Sequence, residues 1–249
     1  MNASPVNLGT DGPAPTSEWP SLRATLGSAA AVTLAVTVAS YALDGQLANL
    51  GVAGTFLAAT WWLVLGRDTA VIRAHGLSLG GLLEPEPLDG RHIAVSLLGA
   101  LAWTLGLALA FFPPFAVGYA TLWGGTRAFA WRVPPEWMDL VAGQIVVVAL
   151  PEEAFFRGFL QSALDGRTTK RWRCFGAELG PGWLASAAIF AVGHFLTVPQ
   201  PGRLAVFFPA LLFGWLRART GGIGAGVAFH AACNLFSAML AFGFGLRAR

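Results

Sequence analysis

Two adjacent glutamates and an arginine lie inside an apolar run, V-V-V-A-L-P-E-E-A-F-F-R-G-F-L, that covers residues 146–160. An ionisable side chain at the centre of a membrane helix costs about 2.5–3.5 kcal/mol on insertion scales, so such residues usually face a protein interior or a wet cavity. Glu153 and Arg157 are four residues apart and share a helix face, where they can form an ion pair. Glu152 is turned by about 100° from Glu153 and can therefore face a different neighbour.

Two histidines and an asparagine lie in later apolar segments. His194 follows a glycine in F-A-V-G-H-F, and His230 and Asn234 are four residues apart in F-H-A-A-C-N. Each residue alone has a purely structural interpretation. Glu153 and Arg157 could be a buried bridge, a membrane histidine often serves packing, and asparagine often joins helices. A carboxylate and two imidazoles in three apolar segments need a common reason, and together they predict one shared polar cavity.

The residue types in this set suggest a hydrolase. A carboxylate in a cavity of low dielectric constant can act as general base toward water, and an imidazole can share the proton transfer. A second imidazole and an amide can donate hydrogen bonds to a developing oxyanion. Two histidines and a glutamate also match the ligand set of a catalytic zinc, which would here be Glu152, His194 and His230. The sequence contains no H-E-x-x-H motif, the usual helical signature of zinc proteases.

The elements that must position these side chains are predicted to be membrane helices. Of the 249 residues, 55% are hydrophobic and 12% are charged, with a mean hydropathy of +0.60, whereas soluble domains carry about 25% charged residues. A membrane-spanning helix needs about 20 apolar residues. The sequence therefore predicts an all-α, polytopic transmembrane bundle of about seven helices, within a range of six to eight. The predicted segments are 26–43, 47–66, 92–112, 138–164, 183–198, 204–216 and 223–244.

The chain is predicted to form one membrane domain over residues 21–249, preceded by a disordered Pro- and Gly-rich lead at residues 1–20. Residues 138–245 are its predicted catalytic core. Cys174 and Cys233 suggest neither a disulfide framework nor a cysteine metal site. Most basic residues lie between the apolar segments, as the positive-inside bias explains, so the expected partner is the lipid bilayer and not a nucleic acid.

Three motifs resemble those of a known family. The segments E-E-A-F-F-R (152–157), F-A-V-G-H (190–194) and H-A-A-C-N (230–234) are similar to E-E-x-x-x-R, F-x-x-x-H and H-x-x-x-N/D. This is the CAAX-protease and bacteriocin-processing group of intramembrane endopeptidases, also known as the Abi family, to which the myxosortases are related. The resemblance covers the last hundred residues, and the first half of the chain matches only in being membrane-spanning.

The resemblance implies a role for each catalytic residue. Glu152 would be the general base that activates water, with His194 as its partner. His230 and Asn234 would form the oxyanion site. These roles imply a glutamate-dependent peptidase that requires no cofactor, with zinc as the alternative if the two histidines and Glu152 are ligands.

The resemblance also implies supporting residues and a substrate class. Glu153 and Arg157 would hold the catalytic helix in register, and Phe190 would pack near the site. The substrate would be a membrane-anchored protein or peptide that is processed at a CAAX-type end, a bacteriocin leader or a C-terminal sorting signal. The expected location is the inner membrane of a bacterial cell.

Two other functions fit the same residues. One is a non-catalytic membrane protein that acts in immunity or as a scaffold. The other is a proton-coupled transporter, in which the buried glutamate and histidines would form a proton relay. Transporters often show inverted repeats, and no internal repeat is visible in this sequence.

Overall fold

The computed structural model describes residues 19–84, 88–124, 127–134 and 136–246. These residues form eight helices, α1 to α8, and a short hairpin of strands β1 and β2. The predicted lead at residues 1–20 lies outside the described residues except for Trp19 and Pro20. The first four helices are α1 at Leu22–Ala42, α2 at Gly45–Thr60 with a π-helical end at Trp61–Leu65, α3 at Thr69–Ala74, and α4 at Gly90–Tyr119 with a π-helical end at Ala120–Gly124.

The second half of the chain carries the predicted site. Helix α5 covers 137–166 and alternates α-helical parts (Trp137–Ala142, Leu150–Glu153, Ser162–Gly166) with π-helical parts (Gly143–Ala149, Ala154–Gln161). The hairpin of β1 (Trp172–Cys174) and β2 (Ala177–Leu179) follows. The last elements are α6 at Pro181–Thr197, a 3-10 helix at Pro201–Val206, α7 at Phe207–Thr220 and α8 at Gly224–Gly243.

The predicted fold class is confirmed. Within the described ranges, four helical stretches are long and apolar enough to cross a membrane: Leu22–Ala42, Gly45–Leu65, Gly90–Leu122 and Gly224–Gly243. The helix starts follow local chemistry, since the Ser21 hydroxyl accepts a hydrogen bond from the amide of Ala24 at the start of α1 and Asp89 accepts from the amides of Arg91 and His92 at the start of α4. Side-chain oxygens at such positions satisfy amides that the helix itself leaves unpaired.

The predicted end of the third segment at Pro113-Pro114 is wrong. Helix α4 continues through both prolines as far as Tyr119. A proline removes a backbone hydrogen bond and normally breaks a helix, but the membrane interior offers no water to satisfy an unwound backbone. Packing supports the continuation, because rings on both sides of the prolines contact Phe236 of α8: Phe112 with a centroid distance of 4.3 Å and Phe115 with one of 6.2 Å.

The short sixth segment also differs from its prediction. Residues 201–206 form a 3-10 helix, and α7 begins at Phe207 and extends to Thr220. Pro209 does not interrupt it, because a proline in the first turn has no intrahelical hydrogen bond to lose. The helix ends at Gly221, which adopts the left-handed conformation with φ of 76°, a common C-terminal cap.

Helix α5 is the centre of the molecule. Every residue from 151 to 163 is buried, including Phe155, Phe156 and Phe159. These three rings therefore pack inside the protein, and none faces lipid. Helices α2, α6, α7 and α8 surround this part of α5. Glu152, Glu153 and Arg157 thus lie on a helix that its neighbours shield from lipid.

Candidate active site

A cavity of about 1130 Å³ lies between α1, α2, α5, α6 and α8. Its walls include every residue that was predicted to take part in catalysis, together with the aromatic residue of the second motif: Glu152, His194, His230, Asn234 and Phe190. Helix α5 supplies the carboxylate, α6 supplies Phe190 and His194, and α8 supplies His230 and Asn234. The structure therefore brings the three motifs together around one space.

Glu152 and Glu153 have different surroundings although they are adjacent. The side chain of Glu152 is 12% exposed and that of Glu153 is completely buried. Oε2 of Glu152 faces Nε2 of His230 at 3.8 Å, beyond hydrogen-bond distance, and has no hydrogen-bond partner among the described residues. Glu152 therefore lines the cavity with a carboxylate that keeps one oxygen free of hydrogen bonds to the described residues, as a general base requires.

Glu153 joins α5 to α8. Its Oε1 lies 2.9 Å from Nδ1 of His230 and 3.1 Å from Nη1 of Arg157. Gly226 of α8 allows this approach, since a Cβ atom there would lie only 3.1 Å from Oε2 of Glu153. The predicted pair of Glu153 and Arg157 exists, and the additional contact shows that Glu153 also orients the His230 ring.

Arg157 is anchored on three sides. Its Nη2 donates a hydrogen bond of 3.1 Å to the carbonyl of Ala210 on α7. The guanidinium lies over the rings of Phe190 and Phe213, with centroid distances of 4.5 and 5.2 Å. Phe190 also contacts His194, with 4.3 Å between ring centroids. The aromatic residue of the second motif thus packs against the site, as the resemblance implied.

The hydrogen bond of His194 indicates which ring nitrogen faces the cavity. Nδ1 lies 3.0 Å from the carbonyl oxygen of Phe190, and a carbonyl only accepts, so Nδ1 carries the proton of the neutral ring. Nε2 is then an acceptor. His194 can therefore take a proton from a water molecule that is bound in the cavity.

Asn234 has a partner that the sequence analysis missed. Its Nδ2 donates a hydrogen bond of 2.8 Å to Oε1 of Gln144, which lies in the first π-helical part of α5. Gln144 also lines the cavity. Its signal in the sequence is the polar amide in an otherwise apolar run, G-Q-I-V-V-V. The same reasoning that selected Glu152 could have selected Gln144.

Arg203 is a second cavity residue that was not predicted. It belongs to the 3-10 helix between α6 and α7 and lines the same cavity as Glu152 and His194. In the sequence its charge lies between two apolar segments, where a charge is usually solvated, and so it does not stand out. The folded chain instead places it beside the candidate catalytic residues.

Zinc is the alternative cofactor that the sequence leaves open for this site. Glu152, His194 and His230 have donor atoms of the right kind for zinc. They face one cavity, but in the described ranges no three His, Cys, Asp or Glu side chains are grouped closely enough to hold a metal ion. Nδ1 of His194 bonds the Phe190 carbonyl and Nδ1 of His230 bonds Glu153, so Nε2 of each ring would be the atom available to a metal.

A comparison with protein families matches one part of the chain. Residues 134–236 match the family described as Type II CAAX prenyl endopeptidase Rce1-like. No curated protein and no solved structure matches the chain. The matched residues contain all three motifs and all the site residues described above. The resemblance is therefore confirmed over residues 134–236, which are similar to this family of CAAX proteases.

Proposed function

We propose that this protein is an intramembrane endopeptidase in which Glu152 activates the water that attacks the peptide bond. The family match supports a membrane endopeptidase at the level of the family. The observation that carries the glutamate mechanism is the unpaired Oε2 of Glu152 at the wall of the cavity that His194, His230 and Asn234 share. A buried carboxylate without a cation of its own is suited to accept a proton.

The reaction would proceed in two proton transfers. Water between Glu152 and His194 loses a proton to the carboxylate as its oxygen attacks the carbonyl carbon of the substrate. The carbonyl π electrons move to its oxygen, which becomes the oxyanion of a tetrahedral intermediate. When this intermediate collapses, the C–N bond breaks, and the proton held by Glu152 passes to the leaving amine.

Donors for the oxyanion lie on α8. Asn234 is held by Gln144 through one hydrogen of its amide group, and the other hydrogen remains to donate. His230 uses Nδ1 toward Glu153, so Nε2 can donate only when the ring carries protons on both nitrogens.

We propose a membrane-anchored protein or peptide as the substrate, with CAAX-type ends, bacteriocin leaders and C-terminal sorting signals as candidates. The bacterial inner membrane is the proposed location. The four apolar stretches that can span a membrane fit a substrate that reaches the site from the bilayer. A comparison of membrane proteomes from cells with and without the protein would identify processed proteins directly.

The mechanism is tested with Glu152→Gln in purified protein. Glutamine has the same shape but cannot accept the proton, so cleavage of a reporter peptide should fall by about 100-fold or more. The matched control is Glu178→Gln, at an exposed residue of the hairpin, which should leave cleavage unchanged. A normal turnover rate in Glu152→Gln would refute the assignment. Loss of activity with a chelator and its recovery with zinc would favour the metal alternative.

A further inference from the structure

Arg203 brings a positive charge to the candidate active site, and its side chain has no partner among the described residues. Its Nε atom is buried and has no hydrogen-bond partner there. The side chain makes no ion pair with any residue in the described parts of the chain. The charge is nevertheless close enough to act electrostatically on Glu152 and on His194. Arg203 is thus part of the same electrostatic environment as the catalytic candidates.

Two other arginines in the protein interior, Arg157 and Arg217, have clear structural roles. Arg157 pairs with Glu153 and donates to the carbonyl of Ala210. Arg217 donates to the carbonyl of Ala74 and to the hydroxyl of Ser162. Neither of these two arginines lines the cavity, whereas Arg203 does. Arg203 therefore differs from them in both its position and its lack of partners.

A guanidinium in this position is suited to bind a carboxylate. Its planar group of N–H donors matches the two oxygens of a carboxylate, and such bonds are about twice as strong as neutral ones. The cavity already contains one carboxylate, but Glu152 faces His230. A ligand carboxylate at Arg203 would neutralise the arginine and would be held apart from the general base.

The position of Arg203 also fits a ligand that enters from outside the bundle. Residues 198–202, which lead from α6 to Arg203, are exposed, while Arg203 itself is half-buried. The arginine thus lies between the accessible surface and the cavity. A peptide that reaches Glu152 with one end at this surface would place that end beside Arg203.

We propose that Arg203 binds a carboxylate of the peptide substrate and thereby selects which peptide bond lies beside Glu152. This inference rests on the proposed function, since it assumes that the cavity receives a peptide. The carboxylate has two possible sources, the C-terminus of the peptide and an acidic side chain. If the C-terminus is the source, the distance between Arg203 and Glu152 fixes the number of residues that are removed.

Three peptides, each tested with the wild type and with variants, test this inference. The first peptide ends in a free carboxylate, the second is identical but ends in an amide, and the third ends in an amide and carries a glutamate near that end. The wild type should cleave the first with a kcat/KM about 10- to 100-fold higher than the second. Efficient cleavage of the third peptide would show that an acidic side chain can supply the carboxylate that Arg203 binds.

Arg203→Gln should remove this preference. It should lower kcat/KM for the acid peptide by about 10- to 100-fold, mainly through KM, and lower kcat/KM for the amide peptide much less. Arg203→Lys keeps the charge without the planar group and should be intermediate. The matched control is Arg219→Gln, because Arg219 lies over the ring of Trp103 and not in the cavity. Equal loss for both peptides in Arg203→Gln would show a structural role and overturn the proposal.

Failure of the role proposed for Arg203 can be distinguished from failure of the proposed peptidase function. Equal cleavage of acid and amide peptides by the wild type overturns the role of Arg203 and leaves the peptidase intact. Binding of uncleavable analogues of the acid and amide peptides to the wild type and to Arg203→Gln tests Arg203 even if the glutamate mechanism is wrong. Cleavage that depends on anionic lipid in the vesicles, and not on the peptide end, would assign Arg203 to a lipid headgroup and overturn the proposal.

Discussion

His230 is held between two carboxylates, with Nδ1 at 2.9 Å from Oε1 of Glu153 and Nε2 at 3.8 Å from Oε2 of Glu152. The first contact is a hydrogen bond and the second is not. Glu153 therefore fixes the ring, while Glu152 remains available for chemistry. Because consecutive residues of a helix point in directions about 100° apart, two adjacent glutamates can perform these separate tasks.

This difference predicts that the two glutamates respond differently to the same substitution. Glu153→Gln leaves the buried charge of Arg157 without its counter-ion, which typically costs about 3–5 kcal/mol of stability. Glu152→Gln removes no ion pair within hydrogen-bond distance and should change stability by less than about 1 kcal/mol. Thermal unfolding of both variants in detergent measures the difference. Equal melting temperatures would contradict the assignment of Glu153 as the structural partner.

Arg157 should not tolerate replacement by lysine. The guanidinium contacts Glu153, Ala210 and the Phe190 ring at the same time, and a single ammonium group cannot reproduce this planar arrangement. Arg157→Lys should lower the free energy of unfolding by about 1–3 kcal/mol.

The matched control for Arg157 is Arg173→Lys in the hairpin. Arg173 also pairs with a glutamate, Glu178 at 3.0 Å, but its side chain is 86% exposed. Exposed pairs contribute about 0–1 kcal/mol, so this substitution should have little effect. A similar loss of stability in both variants, measured by denaturant or thermal unfolding, would show that burial is not the cause.

The sequence indicates the candidate site residues that lie inside apolar segments, but not those that lie between segments. Glu152, His194, His230 and Asn234 were recognisable because polar groups in apolar segments are costly and rarely accidental. Arg203 was missed because its charge lies between segments, where a solvated position is normal. Its place in the cavity depends on how the 3-10 helix between α6 and α7 folds back, and no local pattern encodes that.

The ends of the helices also divide into those that the sequence predicts and those that depend on tertiary packing. The positions of α1, α2, α6 and α8 agree with the predicted segments to within four residues at each end, because hydropathy alone determines them. The continuation of α4 through Pro113 and Pro114 depends on contacts between aromatic rings of α4 and Phe236 of α8. The π-helical parts of α5 likewise have no signature in hydropathy. Such parts often occur at functional sites, and here they flank Glu152.

Gln144 is predicted to position Asn234 for catalysis. Its Oε1 accepts the hydrogen bond that holds the Asn234 amide, so Gln144→Leu should leave that amide free to rotate. We expect kcat to fall by about tenfold, with little change in KM or stability. Because the two residues act as a unit, Gln144→Leu should add little to the loss caused by Asn234→Ala.

The control for Gln144 is Gln161→Leu. Gln161 is buried on the same helix and donates to the carbonyl of Gly214, outside the cavity. Its loss leaves a buried carbonyl unpaired, which should reduce stability and spare kcat. Unfolding and steady-state kinetics of both variants distinguish the two patterns. Additive effects of the substitutions at Gln144 and Asn234 would contradict a positioning role.

His75, outside the membrane-spanning segments, should make stability depend on pH. The residue follows α3, is 3% exposed and lies between the rings of Trp19 and Phe159. Burial lowers the pKa of His75 from 6.5 to about 4. A hydrogen bond with the Val71 carbonyl opposes this shift and the charge of Arg217 adds to it. The folded protein thus keeps the ring neutral at pH values where the unfolded chain binds a proton.

The direction of the effect follows from these pKa values. The unfolded chain protonates His75 near pH 6.5 and the folded protein only near pH 4. The stability associated with the neutral ring is therefore complete above pH 6.5 and is lost as the pH falls toward 4, by about 3 kcal/mol in total. His75→Phe keeps a ring of similar shape and cannot titrate, so its melting temperature should fall less between pH 7 and pH 5 than that of the wild type. His92→Phe, at an exposed histidine of α4, should retain the wild-type pH dependence, and an unchanged slope in His75→Phe would place the acid sensitivity elsewhere.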